Sequence, residues 1–360
     1  MIEAQLKQRK NYFDITEHLR SSVEFQTCVG LQSISAPQLS RRLRTLPHTI
    51  CQQLFLDAAS FLQELTKDGK GIPGIGRLRI VDSTELTLPQ MAGQWAYYTR
   101  NKNAVKMHVR LVVADPDTAY PECIIPSTAN VADSEVVMDL VMDDDAIYVM
   151  DRGYAVYGNF ARWSEQNKRF VVRIRQQGRT EILNERPVTD GSKVLRDADV
   201  RIRFKQDHEV QTVDLRLVEF ADEKGKLYRL LTNVYDLSAE QICEIYRHRW
   251  MIELFFKWIK GHLKLVKLYS YEPEAVWTQM YLALTAYVLV HIVKLMTGTT
   301  RTPWQVLQLL RVYMSRSWEA FLKALSRQPS RSSRGRVKKG KRGRPRKQPP
   351  KLKSARLIVR

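Results

Sequence analysis

One amphipathic stretch constrains the fold of this chain more than any other. Ser238 to Lys264, SAEQICEIYRHRWMIELFFKWIKGHLK, reads as a single long helix. Ser238 and Gln241 form a capping box, each side chain serving a free backbone donor of the first turn. No proline follows before Lys264. At about 100° per residue, Ile245, Ile252, Phe255, Phe256, Ile259 and Leu263 share an arc of roughly 100°, a stripe that needs a core to face. Tyr246, Arg249, Glu253, Lys257, Lys260 and Lys264 lie beside it, so one acid stands in the middle of a basic row. The helix alone leaves two readings open. One is a solvated face with i,i+4 pairs such as Glu253–Lys257; the other is a metal-binding carboxylate flanked by phosphate-binding cations.

Charge favours a polyanionic partner. Against 38 acids stand 58 Lys and Arg, a formal balance of +20 in 360 residues, and nucleic acid is the simplest partner for that excess. Fifteen of the cations lie from Arg327 onward, where there is no acid, so the rest of the chain carries only +5. With Gly, Pro and Ser between the charges, residues 327–360 read as a disordered basic tail. Within it Arg342-Gly-Arg344-Pro resembles the core of an AT-hook, which lies in a narrow minor groove; a generic polycation explains it equally. The four cysteines are scattered and the N-terminus lacks the apolar run of a signal peptide, which points to a cytoplasmic, nucleoid-associated protein. Met280 to Val293 is the most apolar segment, and at about fourteen residues it reads as a core helix.

Residues 1–66 read as a helical N-terminal domain. Ser35 to Arg44 has a capping Ser, an early Pro and a basic turn containing Arg41 and Arg42, so it is a candidate DNA-reading helix. Lys67 to Gly76 is a Gly-rich linker. It matches G-x-G-x-x-G formally, but it carries Pro73 and leads into a strand, so it is no dinucleotide site. A domain over 77–326 follows: strands at Leu78–Val81, Val105–Ala114, Cys123–Pro126 and Ala146–Met150, with helices at Ser134–Met142 and Tyr157–Gln166. The antiparallel pattern from about 167 to 236 reads as a β insertion, and Glu274–Met296 and Pro303–Leu325 as core helices. The expected fold class is α/β, a mixed sheet flanked by helices.

Asp82 directly follows one buried strand and Asp151 another. Two such aspartates on one α/β unit, with Glu253 from a helix, supply hard oxygen donors from rigid elements, which is what Mg²⁺ takes while keeping positions for water and phosphate. Two ions so held serve phosphodiester transfer. The run Asp143–Asp145 competes, but a loop before a strand is a poor place for a preorganised site. No zinc spacing among His and Cys, and no nucleophile elbow around Ser83, offers another chemistry.

Tyr246-x2-Arg249-x3-Glu253-x6-Lys260, together with strand-Asp82 and Asp151 in DRGY, resembles the YREK branch of bacterial insertion-sequence transposases with a DDE triad. The resemblance covers roughly Arg77 to Thr297. It implies an RNase H-like core in which Asp82, Asp151 and Glu253 are catalytic and bind two Mg²⁺, with Mn²⁺ able to substitute. It also implies that Arg249 and Lys260 clamp DNA phosphates beside Tyr246. The partners would be double-stranded element ends and target DNA, held by a dimer. The reaction would be end cleavage, a hairpin intermediate and strand transfer. The insertion lacks the Trp that stacks on a flipped base in that branch, leaving Phe220 and Tyr228 as aromatic substitutes. A DNA-binding derivative without catalysis, or an RNase H-like nuclease without joining, would share these residues.

Overall fold

A mixed ten-stranded sheet runs through the computed structural model, which describes residues 1–66, 71–178 and 180–327. The tail from residue 328, and with it Arg342 and Arg344, lies outside the described residues. The N-terminal segment is helical: α1 (Ile2–Leu6), α2 (Tyr12–Ser21), α3 (Val23–Val29), α4 (Ala36–Thr45) and α5 (His48–Leu65). Ser35 and Gln38 close a capping box on α4, Gln38 N–H donating to Ser35 Oγ at 3.3 Å.

Next come β1 (Leu78–Leu88), β2 (Tyr97–Thr99), β3 (Lys102–Asp115) and β4 (Thr118–Thr128), with β3 antiparallel to β1, β2 and β4. Then α6 (Asp133–Leu140), β5 (Ile147–Met150), α7 (Tyr157–Glu165) and β6 (Arg169–Arg173) add two strands parallel to β1. β7 (Glu181–Glu185), β8 (Val194–Gln206), β9 (Glu209–Ala221) and β10 (Leu227–Thr232) extend the same sheet antiparallel from β6, in the order β6-β10-β9-β8-β7. β6, expected within the antiparallel pattern, pairs antiparallel with β10 on one side and in parallel with β5 on the other. Asp207 and His208 join β8 to β9 with φ of 49° and 66°, the left-handed pair that matches the twist of a two-residue hairpin turn.

Alternation along the strands sorts the core onto two faces. Leu78 and Ile80 of β1, with Ile147 and Val149 of β5, face one cluster; Val81, Tyr148 and Met150 face the other, where α6 and α7 pack. The first face is covered by α8 (Ala239–His248), α9 (Trp250–His262), α10 (Pro273–Thr297), α11 (Pro303–Tyr313) and α12 (Trp318–Leu325), and by α5. Phe55 of α5, fully buried, lies 6.2 Å from the ring of Tyr281 in α10, so the N-terminal helices and α10 share one core.

Two expectations are corrected. The stretch from Ser238 is two helices: Arg249 N–H bonds Tyr246 O at 3.1 Å and Ile252 N–H bonds Arg249 O at 3.2 Å, a three-residue spacing that tightens the backbone and divides α8 from α9. Leu263 is extended, so Lys264 is outside the helix. The segment 303–325 also divides, because Ser317 accepts from Ala320 N–H and starts α12. The expected core helix over Glu274–Met296 is α10, whose 25 residues are long and apolar enough by length and composition to cross a membrane. Burial decides its role: Ala275, Met280, Leu284 and Val288 are fully enclosed by protein, which makes it the central core helix.

Candidate active site

Asp82 lies within β1, four residues in, and not after its end. What ends there is the partner strand: β1 and β5 pair in parallel from Leu78↔Ile147 to Val81↔Met150. Asp82 and Asp151 are the next residues on each strand, so they stand side by side where β5 stops. Both share the parity of Ile80 and Val149, and the pleat therefore turns both toward the α8–α9 face. Asp151 is held in extended backbone and caps the turn that follows, accepting from Arg152 N–H at 2.7 Å.

The helices meet these strands through specific side chains. Tyr246 Oη donates to Asp151 Oδ1 at 3.2 Å. Arg249 sits at the α8–α9 break and spans two acids: its guanidinium reaches Asp82 Oδ2 at 3.3 Å and also pairs with Glu253. In the free chain Arg249, which the resemblance makes a clamp on DNA phosphate, is thus a partner of both acids. Lys260 Nζ donates to Thr84 Oγ1 at 2.6 Å and to the Glu85 carbonyl at 3.0 Å, which locks α9 onto β1 two residues beyond Asp82. Asp82, Asp151 and Glu253 keep 23%, 33% and 37% of their side-chain surface open, enough for a ligand to reach all three.

Electrostatics at the site follow burial first. Burial above all raises the Asp82 carboxyl; the Ser83 N–H and Arg249 oppose it, Asp151 and Asp133 add to it, and together they leave it at about 6. Burial also raises the Tyr246 phenol, with Asp151 adding to it, so the hydroxyl stays a donor. Lys260 is lowered by burial. A carboxylate that burial and like charge both disfavour gains from a divalent cation, and two Asp and a Glu are the hard oxygen donors that Mg²⁺ takes. In kind, then, the residues fit the implied metal. Among the described residues no three such side chains converge on one point, and Arg249 takes up the space between Asp82 and Glu253.

Several participants were not singled out from the sequence. Arg173 at the end of β6 lies 3.8 Å from Asp151 Oδ1 and stacks its guanidinium 4.6 Å above the Tyr228 ring. A cavity of about 510 Å³ opens beside the site, lined among others by Phe220, Tyr228, Tyr246, Arg249 and Trp250. Phe220 and Tyr228 stack at 5.0 Å, and Trp250 is 57% exposed there. Trp258 and Trp163 do pack, Trp258 4.9 Å from Tyr287 and Trp163 fully buried. The competing acids are consumed elsewhere: Asp143 and Asp145 pair with Arg79, with Arg110 and Arg77 as further partners. Arg41 and Arg42 are exposed on α4 while Leu43 turns inward.

Comparison with known proteins gives this arrangement a family. The sequence pattern of the family described as "Transposase DDE domain" matches residues 73–289. The protein named transposase y4zB from Sinorhizobium fredii is 33% identical over 223 residues, 61% of this chain and 61% of its own length. One named transposase for insertion sequence element IS5377, from Geobacillus stearothermophilus, is 30% identical over 263 residues, 72% of this chain and 67% of that one. The match thus spans about three fifths to two thirds of these relatives. Among solved structures, a piggyBac transposase synaptic complex with hairpin DNA is similar at a TM-score of 0.43 and 12% identity, over 72% of this chain and 56% of that one. With most of the candidate active-site face, from the linker into α10, inside the matched span, the chain belongs to the transposase DDE-domain family.

Proposed function

We propose that the chain is an insertion-sequence transposase of the YREK branch, with an RNase H-like core, which cuts the ends of its element and joins them to target DNA. The observation that carries this is the pair Asp82 and Asp151, side by side where β5 ends, with Arg249 pairing to both Asp82 and Glu253. The strand order β4-β3-β1-β5-β6, with β1, β5 and β6 parallel, supports the RNase H-like reading.

In this mechanism Asp82, Asp151 and Glu253 would hold the divalent cations, Mg²⁺ or Mn²⁺. The bound cations supply Lewis-acid stabilisation of the attacking and leaving oxygens of the phosphodiester. Tyr246 orients Asp151 through its donated hydrogen bond, and Arg173 balances the charge of that carboxylate. Lys260 keeps α9 in register with β1, so Glu253 stays opposite Asp82. Arg249 exchanges its two carboxylates for a DNA phosphate when substrate arrives. Trp250, with Tyr228 and Phe220, offers the aromatic surface for an unstacked base that the β insertion lacks in the form of a Trp. Arg41 and Arg42 on α4 contribute phosphate or groove contacts at the element ends, and Arg342 and Arg344 of the tail add salt-sensitive affinity. Two copies act on paired ends.

Asp82→Ala, Asp151→Ala and Glu253→Ala should each abolish Mg²⁺-dependent cleavage of element-end DNA while retaining end binding, in a gel assay with purified full chain. Near-normal cleavage by any one removes that residue from the site. Cleaved ends without strand-transfer product would make the chain a nuclease, and binding without cleavage a DNA-binding derivative.

A further inference from the structure

Beneath the candidate active site, on the opposite face of the sheet, lies a part-buried polar cluster that the proposed mechanism leaves unused. The pleat of β1 sends Asp82 and Thr84 toward α9 and Ser83 the other way, toward α6. There Ser83 Oγ donates to Asp133 Oδ1 at 2.8 Å, at the first residue of α6. Ser83 is also tied to its neighbour: its backbone N–H donates to Asp82 Oδ1 at 2.8 Å. One residue is therefore gripped from both faces, by Asp133 through its hydroxyl and by Asp82 through its amide.

Asp133 is itself firmly placed. Its Oδ1 lies 3.2 Å from Lys106 Nζ and 3.4 Å from His108 Nδ1, both on β3. Lys106 also donates to the Val131 carbonyl at 2.9 Å, and His108 Nε2 meets Ser127 Oγ at 2.9 Å. These partners hold the Asp133 carboxyl low, at about 2, against the penalty of its burial. The cluster also touches the second aspartate's segment, since a Cβ on Gly153, two residues past Asp151, would come within 3.6 Å of Asp133 Oδ2. Ser127, His108 and Asp133 follow one another in the order of a nucleophilic triad, but His108 is fully buried and Ser127 Oγ donates to the Thr128 carbonyl, so no substrate reaches them.

We infer that Asp133 is a positioning residue for Asp82, acting through Ser83 to hold the carboxylate at the angle a divalent cation requires. This rests on the reading of Asp82 as a metal-binding carboxylate. An Asp133–Lys106 pair that merely fastened α6 to β3 would need no contact with Ser83 and would not act on metal affinity. Outer partners that orient metal ligands act strongly on affinity, so Ser83→Ala and Asp133→Asn should each weaken binding about tenfold. Because both cut the same relay, the double variant should be no weaker than either single one. Ser83→Thr retains the hydroxyl and should bind nearly as wild type.

The measurement is Mn²⁺ affinity of the full chain, from the signal of free Mn²⁺ in electron paramagnetic resonance, with element-end affinity and thermal midpoint recorded alongside. Wild-type affinity in Ser83→Ala overturns the relay, as does a double variant whose loss is the product of the two single losses. If Asp133→Asn does not fold, Ser83→Ala against Ser83→Thr decides alone. Asp82→Asn separates the two levels. Unchanged Mn²⁺ binding there sinks the metal reading and the relay together; lost binding there with a normal Ser83→Ala sinks only the relay.

Discussion

In the free chain the Arg249 guanidinium lies between Asp82 and Glu253, so a DNA phosphate has to compete with two carboxylates for it. Arg249→Ala should weaken element-end binding and lower the slope of log affinity against log salt by about 1. Titrations at several salt concentrations measure this, and an unchanged slope would count against phosphate contact. His291 in α10 poses a separate question of acid stability. Burial first, and Lys294 second, lower its imidazole to about 4, and its Nε2 has no hydrogen-bond partner among the described residues. A depressed histidine keeps its contribution above the unfolded value of about 6.5 and loses it as pH falls toward the folded one. Full protonation in the unfolded state alone is then worth of order 3 kcal/mol. Urea midpoints should fall between pH 6.5 and 4, and His291→Leu should flatten that fall; an equally steep loss in the variant would place the acid sensitivity elsewhere.

Among the elements, the break between α8 and α9 matters most for the site, because it puts Arg249 at a junction where one side chain reaches both a strand and the next helical turn. The entry to α8 is set from the sheet. Arg216 of β9 makes a bidentate pair with Asp197 of β8, both bonds at 2.8 Å, and its remaining nitrogen donates to the carbonyls of Val234 and Leu237 just before the Ser238 cap. Both side chains are nearly closed to solvent. Arg216→Ala strands a buried charge and should cost about 3–5 kcal/mol. Replacing the pair with Arg216→Met and Asp197→Leu should recover most of that loss, read as urea midpoints. A single variant as stable as wild type would mean that the α8 entry is held by other contacts.

Over the whole molecule, one apolar core joins the N-terminal helices to the candidate active-site face, through Leu6, Cys51, Phe55 and Leu62 against α10. Phe55→Ala should cost about 3–5 kcal/mol. Tryptophan fluorescence and helical circular dichroism should then shift together in one unfolding transition. Two resolved transitions would instead show residues 1–66 folding as an independent unit. Charge is divided at this scale too. Asp143 and Asp145 balance Arg77, Arg79 and Arg110 around the start of β1, so the strand carries an ion-pair network at its N-terminal end and the part-open Asp82 just beyond it.

Much of this was legible in local pattern. Caps at Ser35 and Ser238, the apolar stripes of the long helices and the strand runs ending in Asp82 and Asp151 announced most elements, because capping, 3.6-residue periodicity and alternation are properties of neighbouring residues. The four spaced residues Tyr246, Arg249, Glu253 and Lys260 could be found for the same reason. What local pattern could not carry was partnership. That β1 runs past Asp82 depends on pairing with β3, and that Asp82 and Asp151 are neighbours depends on where β5 stops. Arg173, Asp133 and Arg216 are ordinary charged residues until strands far apart in sequence are laid side by side. Arg249 belongs to Asp82 as much as to Glu253 only because the sheet brings a residue 167 positions away within 3.3 Å. Sequence determined which groups carry charge and which faces must be buried; the tertiary structure decided which charges meet, since hydrogen bonds and ion pairs act over a few ångströms of space and not along the chain.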